Sequence, residues 1–161
     1  MRLEKEVAAA LRGRGLTLSL AESCTGGAVA ARLVSVPGVS AVFLGGVVSY
    51  TNEIKEALLG VHRDTLAAHT AVSAPVALEM AEGVRRKTGS DIALSVTGLA
   101  GPGGGTEEIP VGRVFVGVST VSGARVCTFT FCGGRRAVRR RAVKAVLGEA
   151  LAEILHYDQK N

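Results

Sequence analysis

Apolar residues recur with two different periods in this chain, and the switches between them mark out its elements. Leu3, Val7 and Leu11 stand four residues apart, which predicts a short amphipathic helix ended at Gly13-Arg14-Gly15. Leu16, Leu18 and Leu20 then alternate with smaller residues, the period of a half-buried strand. An Ala- and Leu-rich stretch from Ala28 to Val34 returns to helix and closes near Pro37-Gly38. Val39 to Tyr50 is rich in β-branched and aromatic residues and predicts a second strand, with Gly45-Gly46 as a bulge or bend. Asn52 stands where it can cap a helix that runs through Leu59 and stops at Gly60. A short helix over Arg63 to His69 follows. Ser73-Ala74-Pro75 offers a capped start and an early proline for a longer helix reaching Lys87, closed by Gly89.

Asp91 to Thr97 predicts a third strand, whose apolar centre suits a position covered on both faces. A glycine-rich loop occupies Gly98 to Thr106. Arg113 to Val121 and Arg125 to Phe131 make a hairpin around Ser122-Gly123. A last helix, from about Arg135 to Leu155, carries Val138, Ala142, Val146, Ala150 and Ile154 down one side. Helices separate the early strands, so those strands must be parallel, whereas the two-residue turn forces the hairpin to be antiparallel. The expected fold is a three-layer α/β/α arrangement around a mixed, mostly parallel sheet of about five strands. It ends in a C-terminal antiparallel hairpin followed by a long helix, all within one domain over residues 1–161.

Composition narrows this further. Apolar residues make up 47% of the chain but aromatic residues only 4%, so the core must be built from Ala, Val and Leu. The 21 glycines follow no period, which excludes collagen and low-complexity sequence. Three cysteines, at 24, 127 and 132, and a charged N-terminus without an apolar signal core make the cytoplasm the expected location. The longest weakly polar run, Val39 to Val48, is far short of a membrane span, so no membrane is expected as a partner. His62, His69 and His156 lie apart from the cysteines; no zinc spacing arises, and neither metal nor cofactor is expected.

Three stretches carry residue types suited to chemistry. The first is Ser23-Cys24-Thr25 with Gly26-Gly27, between the first strand and the following helix. This places hydroxyls and a thiol at a helix N-terminus, where unpaired N–H groups and the dipole favour an oxyanion or an activated nucleophile. Glycines there let a ligand approach bare backbone. The alternative is a serine that merely caps the helix. A serine nucleophile needs a base, and Lys55 lies after the second strand, at the sheet end where open α/β folds bind ligands. It serves as a base only if burial lowers its pKa by about 2–3 units; otherwise it is an exposed lysine paired with Glu56 or Asp64. Cys24 is the rival nucleophile, its thiol acidified at the helix N-terminus, against the alternative of a small buried cysteine.

The second stretch is the loop after Thr97, whose five glycines could surround a phosphate or an oxyanion with N–H groups. It lacks the lysine of a P-loop and does not open a helix. The third is the run from Arg135 to Lys144, with six of the 19 basic residues. Arg135, Arg136 and Arg139 fall in the first turns of the last helix, where the dipole disfavours each cation by ~0.3–1 kcal/mol. A nearby phosphate would resolve that conflict. A solvated face or a nucleic-acid patch are the other readings. The few aromatic rings and the absence of a binding motif or a second basic run speak against nucleic acid, and none is expected.

Several motifs in one order resemble a known family. Ala21-Glu22-Ser23-Cys24-Thr25-Gly26-Gly27, Tyr50-Thr51-Asn52-Glu53-Ile54-Lys55, His69-Thr70-Ala71-Val72-Ser73, Thr97-Gly98-Leu99-Ala100-Gly101-Pro102 and Pro110-Val111-Gly112 are similar to those of the CinA C-terminal family, which includes nicotinamide mononucleotide deamidases. The resemblance covers about Leu3 to Leu155. It implies the same α/β/α fold, and hydrolysis of nicotinamide mononucleotide to nicotinate mononucleotide and ammonia without metal or cofactor. It further implies that Ser23 is the nucleophile, Lys55 the base and Tyr50 an orienting or relaying group. Thr25, Gly26, Gly27, Thr97, Gly98 and Gly101 would contact the substrate, with oxyanion donors near Thr25 or Gly98. Arg135 matches the family arginine expected at the phosphate or ribose, although Gly134 replaces the acid that usually precedes it. Thr51 for serine and Leu99 for isoleucine are the other departures. A homodimer is the expected assembly, and a non-catalytic nucleotide- or phosphate-binding module is the alternative function.

Overall fold

Four of the five strands point the same way, and the one reversed strand is what turns a parallel core into a mixed sheet. The computed structural model describes residues 2–157. Along the chain lie α1 (Leu3–Arg14), β1 (Leu18–Glu22), α2 (Ala28–Val34), β2 (Phe43–Val48), α3 (Asn52–Leu59), α4 (Arg63–His69), α5 (Ala74–Thr88), β3 (Ile92–Gly98), β4 (Arg113–Thr120), β5 (Gly123–Thr130) and α6 (Arg135–His156). The sheet order is β2-β1-β3-β4-β5. β1 pairs in parallel with both β2 and β3, while β4 runs antiparallel to β3 and to β5. The expected mixed three-layer architecture is the one observed.

The two faces of the sheet are packed differently. On one side Leu18, Leu20, Ile92, Leu94, Val96, Val114, Val116 and Val118 meet the buried faces of α1, α2 and α6. The apolar stripe of α6 from Val138 to Ile154 is wholly inside this cluster. On the other side small residues dominate: Ser19, Ala21, Ala93, Ser95 and Gly117 face α5. A Cβ at Gly117 would come within 2.4 Å of the Ala77 carbonyl, so glycine is required for α5 to sit this close. Among the described residues no helix is long and apolar enough to cross a membrane.

Local details depart from the sequence reading in four places, one of them the hairpin: Thr120 pairs with Gly123, so the turn is Val121-Ser122 and β5 begins at Gly123 rather than Arg125. The strand expected from Val39 starts only at Phe43, because Val39–Ala41 form a 3-10 turn after Gly38. Val39 and Val42 are buried against the core without joining the sheet, so their apolarity records packing rather than extended backbone. Thr51, not Asn52, caps α3 by accepting from the Ile54 N–H. Ser73 precedes α5, but its hydroxyl donates back to the Thr70 carbonyl at 2.9 Å instead of capping the helix.

Candidate active site

The parallel pairing of β1 with β2 and β3 brings three loops to one end of the sheet. Glu22 lies beside Val48 in one pairing and beside Val96 in the other, so Ser23 and Ser49 leave the sheet level with Thr97 of β3. Two backbone hydrogen bonds extend this register beyond the strands, Ser23 N–H to Val96 O and Ser49 N–H to Glu22 O. The chain then turns through Tyr50 and Thr51 into α3, with Lys55 on its first turn. Side chains on a helix lean toward its N-terminus, which aims Lys55 back at the sheet end. Its side chain is 1% exposed. Nζ lies 3.1 Å from Ser23 Oγ and donates to the Ser49 carbonyl at 2.8 Å.

Among the described residues no carboxylate accompanies this amine; Glu56, offered above as a surface partner, is bonded instead to Arg63. Burial is the leading cause that pushes the Lys55 pKa below the ordinary lysine value. A thiolate at Cys24 would work in the opposite direction. That thiol, however, is itself buried and raised to about 11, mainly by desolvation, so it is protonated near neutrality. The expected acidification of Cys24 is therefore overturned. Burial outweighs the backbone donors beside it, and the thiol is a poor nucleophile.

The end of α2 is filled by the residue just before the motif's serine. Glu22 is 2% exposed, and its carboxylate accepts the Thr25 hydroxyl at 2.6 Å and the N–H groups of Gly27, Val29 and Ala30 at 3.0, 3.1 and 2.8 Å. The N-terminus of α2 is thus already filled by an anion of the protein's own, and Ser23 does not cap it. From the other side Arg139 of α6 donates to the Cys24 and Thr25 carbonyls at 3.0 and 2.8 Å. The turn that carries Ser23 is held by a carboxylate on its N–H groups and a guanidinium on its carbonyls. Ser23 N–H goes to Val96, Gly26 N–H to Ser23 O and Gly27 N–H to Glu22, which leaves the N–H groups of Cys24 and Thr25 outside the turn's hydrogen bonds.

A cavity of about 240 Å³ opens over Ser23 and Lys55 and is lined also by Tyr50, Thr97, Gly98, Gly101 and Arg135. Seven of the ten site residues expected from sequence therefore meet in one cleft. Thr25, Gly26 and Gly27 do not line it; Thr25 is fully buried against Glu22, and the glycines lie on the far side of the turn. Thr97 lines the cleft, but its hydroxyl is committed to the Ala71 carbonyl at 2.7 Å. Gly101 adopts φ +81, and a Cβ there would meet Val111 at 2.6 Å, so this loop can fold back under the cleft only with glycine. Tyr50 stands at the rim, 59% exposed, its hydroxyl accepting from Arg135 at 2.9 Å. The other arm of Arg135 donates to the Gly101 carbonyl at 3.0 Å. These two contacts support the arginine where Gly134 supplies no acid.

The basic run is thus split in the fold. Arg135 alone lines the cleft, and Arg139 and Arg141 are spent on backbone carbonyls of Cys24, Thr25 and Cys132. Backbone carbonyls relieve part of the conflict with the helix dipole. The roles of Glu22 and Arg139 in holding the Ser23 turn, and of the Ser49 carbonyl as acceptor for Lys55, were not identified from sequence. The position of Glu22 directly before Ser23 was the available signal, since an acid ending a strand beside a helix N-terminus can cap it.

Comparison with known proteins accords with this arrangement. Residues 1–155 match the CinA C-terminal domain family. A CinA-like protein of Chloroherpeton thalassium is 58% identical over 120 residues, 74% of this chain and 29% of that protein. One from Geobacter sulfurreducens is 50% identical over 137 residues, 85% of this chain and 33% of that protein. The chain thus spans about a third of the length of these curated relatives. The crystal structure of the competence damage-inducible protein A from Klebsiella pneumoniae superposes with a TM-score of 0.93 at 37% identity, covering 97% of each chain. With its fold, its motif order and the full span of the match in agreement, this chain belongs to the CinA C-terminal domain family.

Proposed function

We propose that the cleft hydrolyses the carboxamide of nicotinamide mononucleotide, with Ser23 as nucleophile and Lys55 as general base. The observation that carries this reading is the dry contact of Lys55 Nζ with Ser23 Oγ at 3.1 Å. A neutral amine has two N–H groups and one lone pair. One N–H is directed at the Ser49 carbonyl, and in this reading the lone pair accepts the serine hydroxyl proton. Attack of Oγ on the carboxamide carbon transfers the hydroxyl proton to Nζ. The N–H of Cys24, which lines the cleft, is available for the oxyanion. As the C–N bond breaks, the Lys55 ammonium gives its proton to the leaving nitrogen and ammonia departs. Water then attacks the acyl-serine as Lys55 takes its proton; the Lys55 ammonium returns that proton to the departing Ser23 Oγ, and the nicotinate product leaves.

The choice of substrate is supported by the motif resemblance and by charge at the rim. A cavity of about 240 Å³ suits the pyridine ring and its amide, with the ribose phosphate extending outward. Arg135 stands at that mouth, held by Tyr50 and Gly101 with its guanidinium available to an anion. Glu22 rather than Ser23 caps α2, which leaves the serine hydroxyl free for a role other than capping. The deciding experiment is an ammonia-release assay on nicotinamide mononucleotide with the wild-type protein and Ser23→Ala. Release that is lost in the variant, while the nucleotide still binds, is the expected result; equal release from both would exclude this nucleophile.

A further inference from the structure

Most of the basic run is not used by the cleft, and it forms a site of its own. Between α2 and α6 lies a groove of about 840 Å³ whose lining contains no acidic residue. Its floor is Ala28, Ala31 and Val143; the two alanines on α2 leave the space that larger side chains would fill. Its walls are Arg32 and the cations of α6. Three of these cations are already engaged: Arg32 with Glu4 at 3.1 Å, Arg139 with the Cys24 and Thr25 carbonyls, and Arg141 with the Cys132 carbonyl. Arg136, Arg140 and Lys144 are exposed, and none of them takes part in an ion pair among the described residues.

These three stand four residues apart, so their charges form a row with about 6 Å of rise per step along α6. Three like charges at i, i+4 and i+8 repel one another and destabilise the helix they share. An anion with charge distributed along its length removes that repulsion at every step. A single phosphate reaches only one or two of the groups. We propose that this groove binds an oligophosphate, a chain of two or more phosphoryl groups, on Arg136, Arg140 and Lys144. A nucleic-acid strand fits less well. The row is only ~12 Å long by the helix rise, and the lining contains no aromatic side chain on which a base could stack. The site shares no lining residue with the cleft and does not depend on the reaction proposed above.

The test is titration of the purified chain with inorganic tripolyphosphate by calorimetry at physiological ionic strength, with inorganic phosphate and a thymidine oligonucleotide in parallel. The expected result is one-to-one binding of tripolyphosphate, about 100-fold weaker in Arg136→Ala/Arg140→Ala, as two lost charge-assisted contacts imply. Binding of single phosphate should be weaker than that of the chain. A mapping that needs no variant accompanies it: backbone amide resonances over residues 28–32 and 136–144 should shift, and those over 97–103 should not. No binding, or affinity unchanged in the double variant, overturns the proposal. So does loss of binding in Arg135→Gln with shifts confined to 97–103, which would place the anion in the cleft. Oligonucleotide binding that tripolyphosphate does not displace would assign the groove to nucleic acid instead.

Discussion

Lys55 and the arginines of α6 carry the same formal charge and are put to opposite uses. Lys55 is sealed beneath the cleft with one carbonyl, one hydroxyl and no carboxylate, so its charged form is disfavoured. Arg135, at the rim of the same cleft, is exposed on one side and donates to two oxygen acceptors on the other. A guanidinium stays protonated in either setting, whereas an amine responds to burial. The floor of this cleft is therefore suited to moving a proton and its rim to holding an anion, and the chemistry of the two side chains matches their depth.

The strongest challenge to this division is at the floor. Ser23→Ala should lower ammonia release from nicotinamide mononucleotide by about 10⁴-fold or more, as loss of a nucleophile does elsewhere, with nucleotide affinity retained by calorimetry. Lys55→Arg comes next. It keeps a cation but no titratable base, so turnover should fall by about 10³-fold, and a steady-state assay showing near-normal turnover would mean the rim and floor are not distinct. In the wild type, turnover should rise with pH as Lys55 loses its proton, at a pH below that of an ordinary lysine.

At the rim the effect should be smaller and selective. Arg135→Gln is expected to reduce kcat/KM on the mononucleotide by about 10- to 100-fold while leaving the dephosphorylated riboside within about 3-fold; equal losses on both would remove the arginine from phosphate binding. Cys24→Ala should change turnover by less than about 3-fold, because its thiol is raised to about 11 and is protonated at working pH. The least visible difference concerns stability. Below its depressed folded pKa, Lys55 carries a buried charge; between that value and the ordinary lysine pKa the unfolded chain binds the extra proton, so stability gains with rising pH. Lys55→Met removes this gain, and urea midpoints measured from neutral pH to about 10 should show a flatter curve for the variant, relative to wild type.

Periodicity alone located nearly every element, because each helix or strand must present its apolar face at its own repeat. It failed where apolar residues were buried by a turn: Val39 and Val42 pack inward from a 3-10 segment, and no local pattern distinguishes that from an edge strand. Cap positions failed for a related reason. Thr51, Asn52 and Ser73 all have capping side chains, and which hydroxyl finds an N–H depends on the turn that precedes it. The motif residues Ser23, Lys55, Tyr50 and Arg135 were legible as types suited to chemistry, and the resemblance drew them together.

Order along the chain was sufficient for the α/β alternation, the parallel early strands, the hairpin and the residue types at the strand ends, since these follow from local repeat and turn length. Tertiary structure alone decided how each ionisable group behaves. Adjacent parallel strands carry residues 22 and 48 to one level, so an amine more than thirty positions from its serine reaches 3.1 Å and loses its water. The same packing protonates Cys24, sends the Glu22 carboxylate into the helix end, and divides one arginine run between a cleft, two struts and a groove. Charge and acidity depend on dielectric surroundings and on neighbours distant in sequence, and those exist only once the chain has folded.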